Sequence, residues 1–235
     1  MSQIVKNTEL AVAPLTSDQE QAFLALGQHD YCGQHVCLFA WHLAELSTMC
    51  EQIWAHLPQN TAAWQFMAYG PFKDLDTLQR LCQAQFHLPH SQHYWIQFNG
   101  VTVGWIAYLN PRLSHRAVEL GNIFLLPHVR KSPVLTDSVY LLADAAFQAG
   151  CRRLEWKCDQ RNVASVNAAL RLGFSKEGLF RQDRVVKGLN RDTAWFSILD
   201  YEWNEHAVAL SRWLSPNNFD CLAQQKVALH TFRHK

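Results

Sequence analysis

The sequence predicts an α/β fold of the α+β kind, a mixed, mostly antiparallel central sheet flanked by helices, with one parallel strand junction. Three observations predict it. Strand-like runs at 93–98 and 101–110 flank Asn99-Gly100, a two-residue turn suited to a hairpin, and a third run follows at 117–126. Three strands with no helix between them form an antiparallel meander. After Pro127 the period changes: Val134, Leu135, Val139, Leu142 and Ala146 recur at helical spacing, with Leu141 and Ala145 widening the face. Gly150 and the apolar run 151–158 follow, and a strand–helix–strand crossover of normal hand makes those two strands parallel. The chain has 235 residues, 49% hydrophobic and 12% aromatic, enough for a packed core in one domain. Within 1–235, residues 1–63 supply an N-terminal strand and helices, 64–204 the core, and 205–235 a helical extension.

In order along the chain, residues 10–15 fit a first strand before Ser17. Residues 38–57 carry Leu38, Trp41, Leu46, Met49, Ile53 and Trp54 as a rough helical stripe, broken by Asn60. Residues 64–71 are aromatic-rich and run into Tyr69-Gly70-Pro71-Phe72, a turn or a pocket wall. Leu75, Leu78, Leu81 and Phe86 mark a helix over 74–86. Both helical stretches read as core packing, with a substrate lid as the alternative. Gly104 marks a bulge or a close backbone approach. Ser132-Pro133 starts the next helix, a capping hydroxyl followed by proline in the first turn; Thr136-Asp137 is a later alternative start. Asn162 opens a further helix and Gly173 stops it. Residues 179–186 and 193–201 then form a hairpin around Gly188-Leu189-Asn190.

Composition excludes several classes. Lys and Arg number 21 against 20 Asp and Glu, so a general nucleic-acid surface is not expected. MSQIVKNTEL has no apolar core of signal-peptide length, and the most apolar run, LFAWHLAEL, is broken by His42 and Glu45. A cytoplasmic protein without a membrane partner is expected. The seven cysteines, Cys32, Cys37, Cys50, Cys82, Cys151, Cys158 and Cys221, are odd in number and irregular in spacing. They read as reduced thiols, mostly small core residues. His29, His35 and His42 lie near Cys32 and Cys37, but the spacing follows no zinc pattern, so no metal is expected.

The chemistry concentrates where the meander meets the helix. A strand leading into a helix N-terminus exposes free amides at the positive end of the helix dipole. Arg130 and Lys131 add two cations there, His128 offers a third, and Ser132 and Thr136 add hydroxyls. Together they suit a diphosphate, although a solvated basic turn has the same composition. The rival is a dinucleotide-binding fold, and with it an oxidoreductase. It is weakened because no GxGxxG is present and the strands meander instead of alternating with helices.

This order of elements resembles the GNAT acetyltransferase superfamily. RNVASVNAALRLGFSKEGLFRQ (161–182) is similar to the branch that acetylates the N-termini of ribosomal proteins, in which NxxS, a leucine-rich helix turn and GFxxEG recur. KGLNRDTAWFSILDYEW (187–203) and WLSPNNFD (213–220) look like a subgroup of that branch. The resemblance covers about residues 64–223 and implies acetyl-CoA as acyl donor. It places the pantetheine arm on the backbone of Leu125 and Leu126, before Pro127. It places the pyrophosphate on the turn formed by Arg130, Lys131, Ser132, Val134, Leu135 and Thr136. Pro133 and Leu135 stand where the family has glycines; proline removes one amide donor, and the side chains of Arg130, Lys131 and Ser132 would compensate. Asn162 would touch the coenzyme arm and also cap its helix.

Acyl transfer to an amine needs a base for the ammonium proton, donors for the developing oxyanion and an acid for the thiolate. The family's tyrosine acid is absent, its position being held by Ala169. Ser165 offers a hydroxyl instead, or is only a small polar helix residue. Glu119 is the candidate base, or a solvent-facing strand carboxylate. A second base position of the branch falls on Arg184, next to Asp183, and does not transfer. Glu177 would order the turn after Phe174.

Tyr69, Asp192 and Trp195 are candidate substrate contacts, with Trp64, Phe72 and Phe196 as further aromatics. Alternation puts Trp195 and Phe196 on opposite sheet faces, so one of the two is core. No cysteine sits in a nucleophile motif, so direct attack by the amine on the thioester is expected. The expected activity is N-acetylation of a primary amine, on a protein N-terminus or a small molecule. The alternative is a non-catalytic acyl-CoA-binding or protein-interaction module on the same fold. Trp213 and Phe219 either seal the domain or meet a second copy in a homodimer.

Overall fold

Eight strands form one sheet in the order β1-β2-β3-β4-β5-β6-β8-β7. The computed structural model describes residues 12–57, 64–86, 88–222 and 224–233. The strands are β1 (Tyr31–Cys32), β2 (Val36–Ala40), β3 (Ser91–Phe98), β4 (Val101–Arg112), β5 (Ala117–Leu125), β6 (Arg153–Asp159), β7 (Ser175–Val186) and β8 (Leu189–Leu199). All neighbours pair antiparallel except β5 and β6, which run parallel, as the crossover required. Asn99 and Gly100 both take positive φ, the mirror-image turn that suits a right-twisted hairpin.

Helices cover both faces. On one face lie α4 (Val134–Gln148), α5 (Val163–Leu172) and α6 (Asp200–Trp213). The Tyr108 hydroxyl donates to Leu142 O on α4, Trp156 Nε1 donates to Ser165 on α5, and Phe147 of α4 stacks on Trp203 of α6. On the other face lie α2 (Leu46–Trp54) and α3 (Leu75–Phe86). Gln52 of α2 accepts from Thr102 N, and Phe86 of α3 stacks on His93. The short α1 (Ser17–Leu24) is held by a Thr16–Gln19 capping box.

Four expectations are corrected. Residues 38–57 are not one helix. Val36–Ala40 alternates in burial and pairs with β3, and the helix starts only at Leu46. The segment VCLFA obeys a period of two; the wider helical stripe borrowed Leu38 from a strand. No strand forms over the described part of residues 10–15, which begins at 12; Leu15 instead packs against Gly150. The hairpin turn after β7 is Lys187-Gly188, both with positive φ, so Leu189 and Asn190 already belong to β8. Cys32 and Cys37 are joined by a disulfide across the β1–β2 turn, with Cα atoms 4.1 Å apart, and are not free thiols. Their register opposite one another in a hairpin, not any motif, brings them together. Cys50, Cys82, Cys151 and Cys158 are buried free thiols and Cys221 is exposed. The helix break expected at Asn60 lies outside the described residues.

Trp213 and Phe219 meet edge to face at 5.0 Å, both buried, and close the core under α6. Among the described residues no helix is long and apolar enough to cross a membrane.

Candidate active site

The site begins as a fault in the sheet. β5 and β6 pair only from Ala117↔Arg153 to Leu120↔Trp156. Beyond that, β5 stays with β4 and β6 with β8, so 121–125 and 157–159 face each other unpaired. The cause is a bulge at Asn122 (φ +48°), where three steps along β5 oppose two along β4. Gly104 permits it: a Cβ there would lie 2.1 Å from Phe124 O. The strands splay, and a cleft of about 420 Å³ opens between them.

On the α4 face the cleft is lined by Trp156, Cys158, Asn162 and Ser165. Asn162 caps α5 by accepting from Ser165 N at 3.2 Å, and Ser165 Oγ accepts from Trp156 Nε1 at 3.0 Å. The strand end nearby, Leu125-Leu126, leads through a short turn to α4. There Arg130 and Lys131 are exposed, Lys131 with φ +65°. The first backbone bond of α4 is Asp137 N to Pro133 O, which leaves the Leu135 and Thr136 amides without a helical acceptor. The hydroxyls point inward. Ser132 Oγ donates to Val129 O and accepts from Val134 N. Thr136 is fully buried, and its oxygen accepts from Arg171. What this turn offers an anion is therefore backbone amides and two exposed cations, not hydroxyls.

On the opposite face the lining is side-chain chemistry. Glu119, only 7% exposed, pairs through Oε2 with Lys157 Nζ at 2.6 Å and with Asn110 Nδ2 at 3.0 Å. Among the described residues its Oε1 has no hydrogen-bond partner. Lys157 also lies 4.1 Å above the Trp195 ring. A neutral chain runs along the wall: Trp105 Nε1 donates to Tyr69 Oη, Tyr69 donates to Asn122 Oδ1, and Asn122 Nδ2 lies 2.7 Å from His93 Nε2. Burial pulls the His93 pKa down to about 3, so His93 is a neutral acceptor there, and burial raises Tyr69 well above the usual phenol value. Trp64 and Trp105 clamp Phe124 at 4.4 and 4.6 Å and hold this wall rigid. The β7–β8 hairpin covers the cleft, tied down by Lys187 Nζ donating to Trp64 O and Tyr69 O.

Residues 53–174 match the model of the Acetyltransferase (GNAT) family, just over half of the chain. The chain belongs to the GNAT acetyltransferase family. A GCN5-related N-acetyltransferase from Brucella melitensis shares 30% identity at a TM-score of 0.81, over 87% of this chain and 94% of that one. A probable acetyltransferase of the GNAT family from Chromobacterium violaceum shares 33% identity at a TM-score of 0.67, over 74% and 93%. A spermidine N-acetyltransferase from Vibrio cholerae, solved with CoA and spermine, shares the fold at 16% identity and a TM-score of 0.57, over 72% and 98%. No curated protein sequence matches the chain.

In this acetyltransferase the sequence candidates divide. Glu119, Ser165, Asn162 and Tyr69 line one cleft. Trp195 stands behind it under Lys157, while Phe196 is core, as alternation required. Asp192 Oδ1 accepts from Gln182 N and Asn190 Nδ2, which hold its carboxyl below the usual range. It braces a bulge of the hairpin. Val134 is fully buried, its amide donates to Ser132 Oγ and its carbonyl accepts from Ser138. Glu177 holds Arg153 and Ser197, away from the cleft. Sequence reasoning missed His93, Asn122, Lys157 and Arg191 as lining groups and passed over Arg184. One signal was legible: Gly121-Asn122 inside a strand is a pair that tolerates positive φ and so marks a bulge.

Proposed function

We propose that the protein transfers acetyl from acetyl-CoA to a primary amine by direct attack within one ternary complex. The observation that carries the proposal is that Glu119 Oε1 and Ser165 face a single cleft opened by the β5–β6 splay. The residues fit the coenzyme. The unpaired edge of β5 at Leu125, before Leu126, would take the amide-rich arm, and Asn162 its flank. The amides of Leu135 and Thr136, with Arg130 and Lys131 beside Ser132, would hold the pyrophosphate; the Val134 amide is taken by Ser132 Oγ. Pro133 leaves that turn one amide poorer than a glycine would.

Bound there, the coenzyme supplies an activated thioester. Glu119, held in place by Lys157, accepts the ammonium proton through Oε1. Ser165, oriented by Trp156, presents its hydroxyl to the departing sulfur. Cys158 also lines the cleft, but burial pushes its thiol up, which keeps it protonated and supports direct attack over an acyl-enzyme. A single buried cluster that, among the described residues, includes side chains from Phe23 to Leu229 supports a chain of one catalytic domain.

Peptide N-termini, the acceptors of the branch that 161–182 resembles, and small amines are the two acceptor classes to compare. The test is release of free thiol from acetyl-CoA with peptides, amino acids, polyamines and aminoglycosides, beside calorimetric binding of acetyl-CoA. Binding with release is expected. Absence of both overturns the proposal.

A further inference from the structure

Charges around the cleft do not balance, and the imbalance lies at its mouth. Lys157 is matched by Glu119. Asp159 is matched by Arg161, Nη2 to Oδ2 at 2.7 Å, with a second bond from Nε. Two further cations line the cleft: Arg184, whose one ion-pair partner among the described residues is its chain neighbour Asp183, and Arg191, which has none within ion-pair distance and whose charge is felt by Asp159. They are direct cross-strand partners on the β7–β8 hairpin. Like charges in that position destabilise a sheet unless something lies between them.

Arg184 Nε reaches Asp183, its chain neighbour, at 3.5 Å, and its side chain is 59% exposed. Arg191 Nε donates to Thr193 Oγ1 at 3.1 Å, and among the described residues no carboxylate lies within ion-pair distance of it. Lys187 pins the hairpin tip to the far wall, so these two guanidinium groups stand over the cleft.

We infer that the acceptor is an amine that also carries an oxyanion, a carboxylate or a phosphate, gripped by Arg184 and Arg191 while its amino group faces Glu119. The inference rests on the acetyltransfer reading of the same cleft. A guanidinium fork matches a planar carboxylate or a phosphate in two parallel bonds. The lining offers an ammonium one unengaged carboxylate oxygen, Glu119 Oε1. A polyamine would set its further cations against two arginines, with no carboxylate left to receive them.

The test compares amino acids and dipeptides with their C-terminal amides, aminoethyl phosphate with ethanolamine, and spermidine alongside. Each is assayed by thiol release with the unaltered protein, R191Q and R184Q. The acid forms are expected to exceed the amides by tenfold or more in kcat/KM, about the effect of one charge-assisted contact. In R191Q that preference falls towards unity, and in R184Q it falls part of the way, with acetyl-CoA Kd within twofold in both. The ratio of carboxylate to phosphate acceptors identifies which oxyanion is read.

Turnover of neutral amides or spermidine at least as fast as the acids overturns the inference and leaves acetyl transfer standing. So does a preference for the acids that survives both substitutions. Lack of turnover with every oxyanion-bearing amine also overturns it. Lack of acetyl-CoA binding removes it together with the acetyltransfer reading.

Discussion

The two sides of the cleft use different kinds of polar group. At the turn before α4, beyond the cleft lining itself, the groups are backbone amides at a helix start, supplied by consecutive residues, and Asn162 and Ser165 on that face add side chains. On the opposite side they are side chains drawn from β3, β4, β5, β6 and the β7–β8 hairpin, with Tyr69 from the segment before α3. The contrast bears on tolerance. A backbone site tolerates substitution wherever the helix still begins at the same place, proline excepted because it removes an amide. A side-chain site has no such reserve, because each group depends on a partner from another strand.

The sharpest way to break this contrast is Glu119→Gln. Turnover is expected to fall about 100- to 1,000-fold, the range for a lost general base, with acetyl-CoA binding unchanged by calorimetry. The same change strands the buried ammonium of Lys157, at a cost of about 3 kcal/mol in urea unfolding. Adding Lys157→Met restores stability. If it also restores turnover, Glu119 was only a structural partner.

A second test uses acid. His93 is held neutral down to about pH 3, whereas in the unfolded chain it takes up a proton below its usual 6.5. Between those values the unfolded state binds the extra proton, so stability falls as pH drops through the window, by about 1.4 kcal/mol per unit, and is unaffected above it. His93→Gln should flatten that limb when urea unfolding at pH 7 and pH 5 is compared. A slope equal to that of the unaltered protein would show that other groups carry it.

Tyr69→Phe removes the donor to Asn122 and the acceptor of Trp105 Nε1. About 1–2 kcal/mol of stability should be lost, with KM for the amine raised and that for acetyl-CoA unchanged. Equal effects on both KM values would deny the division between the two sides. The smallest effects belong to the coenzyme turn. Arg130→Ala and Lys131→Ala should each weaken acetyl-CoA binding about two- to fivefold, less at high salt, since both cations are exposed and screened. A loss of turnover without a loss of binding would move these residues to the wrong side of the comparison.

Much of this was legible before any fold was seen. The Asn99-Gly100 turn, the change of period after Pro127, the cap at Asn162 and the stop at Gly173 are local signals, and each is found where it was read. The turn proposed for the coenzyme is local too, which is why one turn and one helix start are enough to propose its residues. What was misread was short or paired at a distance. β2 is five residues long and is defined by its pairing with β3. The Cys32–Cys37 bond depends on a hairpin register that no spacing rule announces.

The sequence alone therefore determined the order of elements from β3 to β8 and the parallel junction, because those follow from periodicity and from backbone chemistry within a few residues. Only the tertiary structure decided that Glu119 meets Lys157, that Asn122 joins Tyr69 to His93, and that Arg184 and Arg191 stand together over the same cleft. Those contacts depend on one bulged residue in β5 and on a hairpin folded across it, and a side chain's partner three strands away leaves no mark on its own neighbours in the chain.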